Sequence, residues 1–337
     1  MFWTSDDIRQ ILTKQRLFNM YCGRREGGKT TAARNFCLEE RKKDPEKYEI
    51  AYIRRYKNEM QKSKRDLFKT AFEFGFEFDK IETKGNVTFL DGVPFCHYFN
   101  LSTDARVRGV DLPNLRFIIF DEFLLDNGNY HYLKNEVEQF LSLYETIARP
   151  LNPNRPRVPV LFIANSYTMV NPYFNYFKVR FRDHKYMDKT VYAEIGKVSG
   201  EEQKALYDTE WGQILKNTTY GEHAIENKFY LDDEEFIQKD FDKGELFYIF
   251  RYGNEMFGAW LNYDNGTLYI SYKYDQTYPI KFSFTAKDLK PNELTQSTFK
   301  GTFQGRLTRK MYNSGAIYYE SLKIKNMWYE IVRRCNL

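Results

Sequence analysis

The chain has 337 residues, more than the ~250–300 that one hydrophobic core usually organises, so two domains are expected. Hydrophobic residues make up 42% and charged residues 29%, which excludes a disordered polymer, and the net charge of +5 leaves any acidic partner to local basic patches. Four scattered cysteines (Cys22, Cys37, Cys96, Cys335) without a C-x-x-C pair exclude a disulfide scaffold, and no apolar stretch reaches membrane-spanning length, so the sequence predicts a soluble intracellular protein with no membrane partner.

In chain order, Thr4 or Ser5 is placed to cap a short helix, with Asp6 and Asp7 in its first turn. A strand is expected over 17–22, then a Gly-rich loop, then a helix to about Lys43, ended by Asp44–Pro45. A second strand should span Glu49–Arg54 and a helix 58–74. The segment 78–100 predicts a hairpin turning at Gly85–Asn86 and Asp91–Gly92. Buried strands are expected at 116–120 and 160–164, with a helix at 135–148 between them. Strands alternating with helices imply an α/β domain with a parallel sheet covered on both faces. The rhythm changes near Lys197: 199–227 is polar and helical, then strands at 246–251, 256–263 and 267–272 form a meander, followed by 283–288, a loop and a helix near 321–333. The partition is therefore 1–197, a helical linker at 198–228, and a smaller α+β domain at 229–337.

Gly23-Arg24-Arg25-Glu26-Gly27-Gly28-Lys29-Thr30, followed by Thr31, fits G-x-x-x-x-G-K-[ST] between a strand and a helix. Glycines let backbone N–H groups curl around phosphate, and the helix N-terminus adds partial positive charge. Lys29 is the expected partner of the β- and γ-phosphates of ATP, and Thr30 of Mg²⁺. Phe117-Ile118-Ile119-Phe120-Asp121-Glu122 places two carboxylates at the C-terminal end of a strand, where α/β sheets bind ligands. Asp121 is expected to hold Mg²⁺ and Glu122 to deprotonate the attacking water. Asn165 ends a third apolar strand; it reads either as a sensor of the γ-phosphate or as an ordinary turn residue.

Arg149 precedes a rigid loop at 150–153 and reads as an arginine finger or as a helix C-terminal arginine favoured by the dipole; Arg106 and Arg108 are weaker candidates for the finger. Six basic residues lie from Arg54 to Arg65. Of these Arg55, Lys57, Lys62 and Lys64 are candidate contacts to DNA phosphates, with a solvated helix face as the other reading.

With GRREGGKT (23–30), AYIRRYK (51–57), FIIFDEF (117–123), ANS…VNPYF (164–174) and TYGEHAIENKF (219–229), the chain resembles the DNA-packaging (encapsidation) ATPases of phi-29-like protein-primed tailed phages. The resemblance implies a RecA-like P-loop (ASCE) ATPase domain and a C-terminal domain of RNase H-like fold without nuclease activity. It implies a homopentameric ring around double-stranded DNA, docked on the capsid portal in the host cytoplasm, with a structural packaging RNA as a further candidate partner because some members use one. It places Lys57 at a DNA-gripping loop, and Arg149 and Arg108 where residues act in trans on a neighbour's ATP. Three alternatives stand beside it: a terminase-like enzyme whose second domain still cuts DNA, a ring helicase, and an ATP-gated switch. Glu122 argues against the switch. Active nuclease would need clustered carboxylates on the strands of the second domain; 247–251 offers none, and Asp232, Asp233, Asp264 and Asp275 are dispersed.

Overall fold

The computed structural model describes residues 2–104, 110, 112–125, 132–133, 135–148, 156–166, 169, 171–227, 236–238 and 244–335. Arg106, Arg108, Arg149, residues 150–153, Asp232 and Asp233 lie outside the described residues. The chain forms two compact units: Met1–Tyr167 with Arg180–Tyr230, and Thr168–Val179 with Leu231–Leu337. The helices within 198–228 thus belong to the first unit, and the short stretch before Arg180 packs with the second.

The first unit opens with α1 (Ser5–Leu12), β1 (Phe18–Gly23), α2 (Lys29–Lys43), β2 (Glu49–Arg54) and α3 (Lys57–Asp66). Thr4 is the N-cap of α1, and its N–H donates to the Asp7 carboxylate at 2.7 Å, closing the first turn. The helix expected over 58–74 stops at Asp66 and resumes only as a 3₁₀ turn at Ala71–Phe74. The cause is tertiary: Arg34 of α2 donates to the Leu67 carbonyl (3.2 Å) and to the Thr70 hydroxyl (3.0 Å), capping the helix from outside. Next come β3 (Ile81–Lys84), β4 (Val87–Leu90), β5 (Val93–Asn100), a single turn α4 (Leu101–Asp104), β6 (Leu115–Asp121), α5 (Glu136–Ile147) and β7 (Val160–Asn165). After α6 (Pro172–Tyr176), which belongs to the second unit, the first unit ends with β8 (Lys185–Met187), β9 (Val191–Ile195) and three short helices, α7 (Gly200–Tyr207), α8 (Glu210–Leu215) and α9 (Thr219–Ala224).

The nine strands form one sheet in the order β3-β4-β5-β2-β6-β7-β1-β9-β8. From β5 to β9 all neighbours are parallel, and antiparallel strands close both edges. Alternate residues of β6 serve opposite faces. Phe117 meets Phe36 of α2 with ring centroids 5.3 Å apart, while Phe120 stacks on Phe140 of α5 at 5.6 Å. Burial on both faces explains the unbroken apolar runs in the sequence. It also leaves the C-terminal strand ends as the place where polar side chains gather.

The second unit holds β10 (Glu245–Tyr252), β11 (Glu255–Asn262), β12 (Thr267–Ser271), β13 (Lys281–Ser283), β14 (Leu294–Thr295), α10 (Gln296–Gly301), α11 (Phe303–Asn313), β15 (Ile317–Tyr319) and α12 (Leu322–Cys335). Its sheet runs β14-β13-β10-β11-β12-β15, antiparallel along the meander and parallel outside it. Tyr248, Phe250, Phe282, Phe299 and Trp328 fill its core. The first strand extends one residue further back than expected and so begins with a carboxylate, the exposed Glu245. Two buried carboxylates are engaged by cations: Glu255 pairs with Lys323 at 3.2 Å and Glu293 with Arg251 at 2.8 Å.

Candidate functional site

The order of strands decides what meets at the site. β7 lies between β1 and β6, with Gly23 in register with Asn165 and Asp121 with Ile163. The Gly-rich loop, the acidic pair and the asparagine therefore converge, although the three segments are far apart in sequence. Together they line a cavity of about 480 Å³ that includes Lys29, Thr30, Thr31, Asp121, Glu122 and Asn165.

The loop is built for close backbone approach. Gly28 caps α2 at φ +78°, a conformation that disfavours any side chain. A Cβ on Gly23 would stand 2.6 Å from the Tyr21 ring. Arg24, Arg25, Glu26 and Gly27 complete the turn; Arg24 pairs with Glu202 of α7 at 3.3 Å, and Arg25 donates to the Tyr220 hydroxyl at 3.1 Å. Lys29, the first residue of α2, points its ammonium back into the loop. It donates to the carbonyls of Gly23 (3.1 Å) and Arg24 (2.6 Å) and to Asn165 Oδ1 (2.9 Å). Burial pulls this ammonium down to about 8, against the opposing charge of Asp121.

Asp121 ends β6 and accepts from the Thr30 hydroxyl at 3.0 Å and from the buried Tyr52 hydroxyl at 2.5 Å. Hydroxyl and carboxylate oxygens side by side are hard donors that suit Mg²⁺. Glu122 follows in a left-handed conformation, φ +56°, uncommon for a residue with a side chain. Its N–H donates to the Ile163 carbonyl of β7 at 2.8 Å, which fixes that turn. The Glu122 side chain is 56% exposed. The protein around it raises the carboxyl above its ordinary value, and Arg54 opposes that rise.

Arg54 is the residue that local sequence reading misses. It belongs to the basic run, yet Nη2 reaches Glu122 at 2.6 Å and Nη1 reaches Asp121 at 3.4 Å. Burial works against its charge, but Asp121, Tyr52 and Glu122 outweigh burial and raise its pKa. Tyr52 is missed for the same reason: strand pairing of β2 with β6 brings both residues to the carboxylates.

Among the candidate DNA contacts, Arg55 must be withdrawn. It is 1% exposed. It bonds both Glu136 oxygens (2.8 and 3.0 Å) and the carbonyls of Glu122 (3.0 Å) and Phe123 (2.6 Å). A guanidinium so enclosed cannot meet a duplex. Breaking this pair by Glu136→Ala should cost about 3–5 kcal/mol in denaturant unfolding, because a buried charge is left alone; a shift under about 0.5 kcal/mol, typical of a surface site, would return Arg55 to the surface role. Lys57 and Lys62 are exposed on α3, and Lys64, half-buried, donates to Asn86.

A mainly parallel sheet with a phosphate-type loop and paired carboxylates at its C-terminal edge defines an α/β protein with its ligand face there. The family is more specific: the podovirus DNA encapsidation protein (Gp16) family matches residues 4–337, and the chain belongs to it. It is a phage DNA-packaging protein. It is 27% identical over 334 residues to the DNA packaging protein of Bacillus phage phi29, covering 98% of this chain and 97% of that one. With the DNA packaging protein of Bacillus phage B103 it shares 26% over 331 residues, covering 96% and 99%. The solved structure of the bacteriophage Phi-29 viral genome packaging motor assembly superposes with a TM-score of 0.74 at 25% identity, over 99% of both chains.

Proposed function

We propose that the first unit hydrolyses ATP and that hydrolysis drives double-stranded DNA into a capsid. The observation that carries this reading is the meeting of Lys29, Thr30, Asp121 and Glu122 around one cavity at adjacent strand ends. Lys29 neutralises the terminal phosphates, and Asn165, already bonded to Lys29, senses them. Glu122 takes a proton from the attacking water, and its raised carboxyl brings it nearer neutrality, where a base works best. Thr30 and Asp121 would hold Mg²⁺, which supplies positive charge to the phosphate oxygens when bound.

The fold supports the reading. A strand lying between the loop strand and the acidic strand fits a RecA-like ASCE domain. In the second unit, the order β12-β11-β10-β13-β14, antiparallel then parallel, fits an RNase H-like domain, and its ion-paired Glu255 and Glu293 favour binding over cleavage. The partners of this reading are duplex DNA, further copies in a pentameric ring and the capsid portal, with the motor acting from the host cytoplasm.

Arg54 tunes the base. Glu122 works deprotonated, so activity falls as pH drops through its pKa. Arg54→Ala removes the charge that holds this pKa down, so the acidic limb of kcat/KM for ATP should move to higher pH. An unmoved limb would separate Arg54 from the proton transfer.

The whole function is tested by ATP turnover with intact duplex and with single strands, alongside particle masses in solution. Duplex should stimulate turnover without strand separation or cutting. Lys57→Ala should lower stimulation and flatten the salt dependence of duplex binding by about one phosphate contact, while basal turnover stays within about twofold. Equal stimulation by single strands with unwinding would favour a helicase instead.

A further inference from the structure

A second cavity, about 540 Å³, lies on the other side of the Gly-rich loop, and Gly27 and Lys29 line both. Its walls come from the N-terminal segment, β1 and the end of β9, the strand flanking β1 opposite β7. It holds the aromatic rings of Trp3, Tyr21 and Tyr192. The N-terminal segment is tied to the loop: the Trp3 N–H donates to the Gly27 carbonyl at 2.9 Å, and the Trp3 ring lies 3.8 Å from that of Tyr21.

One polar group in this cavity stands out. Asn227, just beyond α9, lines it and is 5% exposed. Its Nδ2 donates to the Gly196 carbonyl at 2.6 Å, which fixes the amide with Oδ1 as the free acceptor. Among the described residues that buried Oδ1 has no hydrogen-bond partner. A buried acceptor without a donor is uncommon and calls for an explanation.

We propose that this cavity receives the nucleobase, and that Asn227 Oδ1 selects adenine by accepting from its exocyclic amine. The proposal rests on the reading of the loop as a triphosphate site. Asp121, Glu122 and Asn165 mark where the terminal phosphate lies, on the β6–β7 side of Lys29. The rest of a nucleotide must then leave across the loop toward β9, where the aromatic walls offer apolar contact for a planar base. Guanine and hypoxanthine carry a carbonyl where adenine carries the amine. Against Oδ1 that carbonyl sets acceptor against acceptor, the kind of unpaired polar contact by which sites reject close analogues.

The test measures binding of ATP, ITP and inorganic tripolyphosphate to the full chain. Wild type should prefer ATP over ITP by at least about tenfold. In Asn227→Ala that ratio should fall toward one while tripolyphosphate affinity is unchanged. A wild-type ratio near one, or an unaltered ratio in the variant, overturns the proposal but leaves the phosphate loop standing. If the variant loses tripolyphosphate as well, photolabelling of wild type with azido-ATP decides: label on peptides carrying Trp3 or Tyr192 upholds the base site, and label elsewhere overturns it. If wild type binds neither tripolyphosphate nor any nucleotide, the reading of the loop falls first and this assignment with it.

Discussion

Lys29→Ala should lower kcat/KM for ATP by about 10³-fold or more, the scale seen when a preorganised donor to developing charge is removed. The ammonium sits inside the loop, held by its bonds to Gly23, Arg24 and Asn165, where the proposed function needs positive charge. Burial has already brought it to about 8, so stripping away its remaining water costs little when it meets phosphate. Methylene contacts retained by methionine would not restore the charge, so Lys29→Met should fail equally. Steady-state turnover and nucleotide binding by calorimetry check this. Turnover within tenfold of wild type in a folded Lys29→Ala protein would move the phosphate site elsewhere.

Glu122→Gln should behave differently: nucleotide still binds, and single-turnover hydrolysis falls by about 10²–10⁴, the usual worth of a positioned base. The amide keeps the shape and can still face Arg54, but it cannot take a proton. The turn at Glu122 is set by its N–H bond to Ile163 and by the Arg55 bond to its carbonyl, neither of which needs the carboxylate. The variant should therefore keep its fold and trap bound ATP. Near wild-type hydrolysis would remove Glu122 from the chemistry.

The parts of the site that are local in sequence were legible there. The strand, loop and helix around Lys29, and the apolar run ending in Asp121 and Glu122, announce themselves by spacing. The side chains that tune the site were not, because their roles come from strand pairing. Arg54 and Arg55 look alike in a basic run; β2 sends one to the carboxylates and the other into a bond with Glu136, 81 residues away. Asn227 stands in the TYGEHAIENKF segment, but its role is not legible until the end of α9 is folded against Gly196. In the second unit, α10 and α11 escaped because they follow each other across a shared Thr302, and each is capped by a threonine that also reads as a loop residue. β15 was hidden because a three-residue strand carries too little pattern to register.

The burial of Arg55 has a mechanical meaning. Its guanidinium grips the main chain at Glu122 and Phe123, and its own backbone leads within two residues to Lys57, where α3 begins. Under the function proposed above, a change in the acidic turn would have a short path to the exposed Lys57, through the Arg55 guanidinium that the Glu136 carboxylate holds at 2.8 Å. Loosening that hold while leaving both ends intact should uncouple fuel use from movement: the engine would run, but slip.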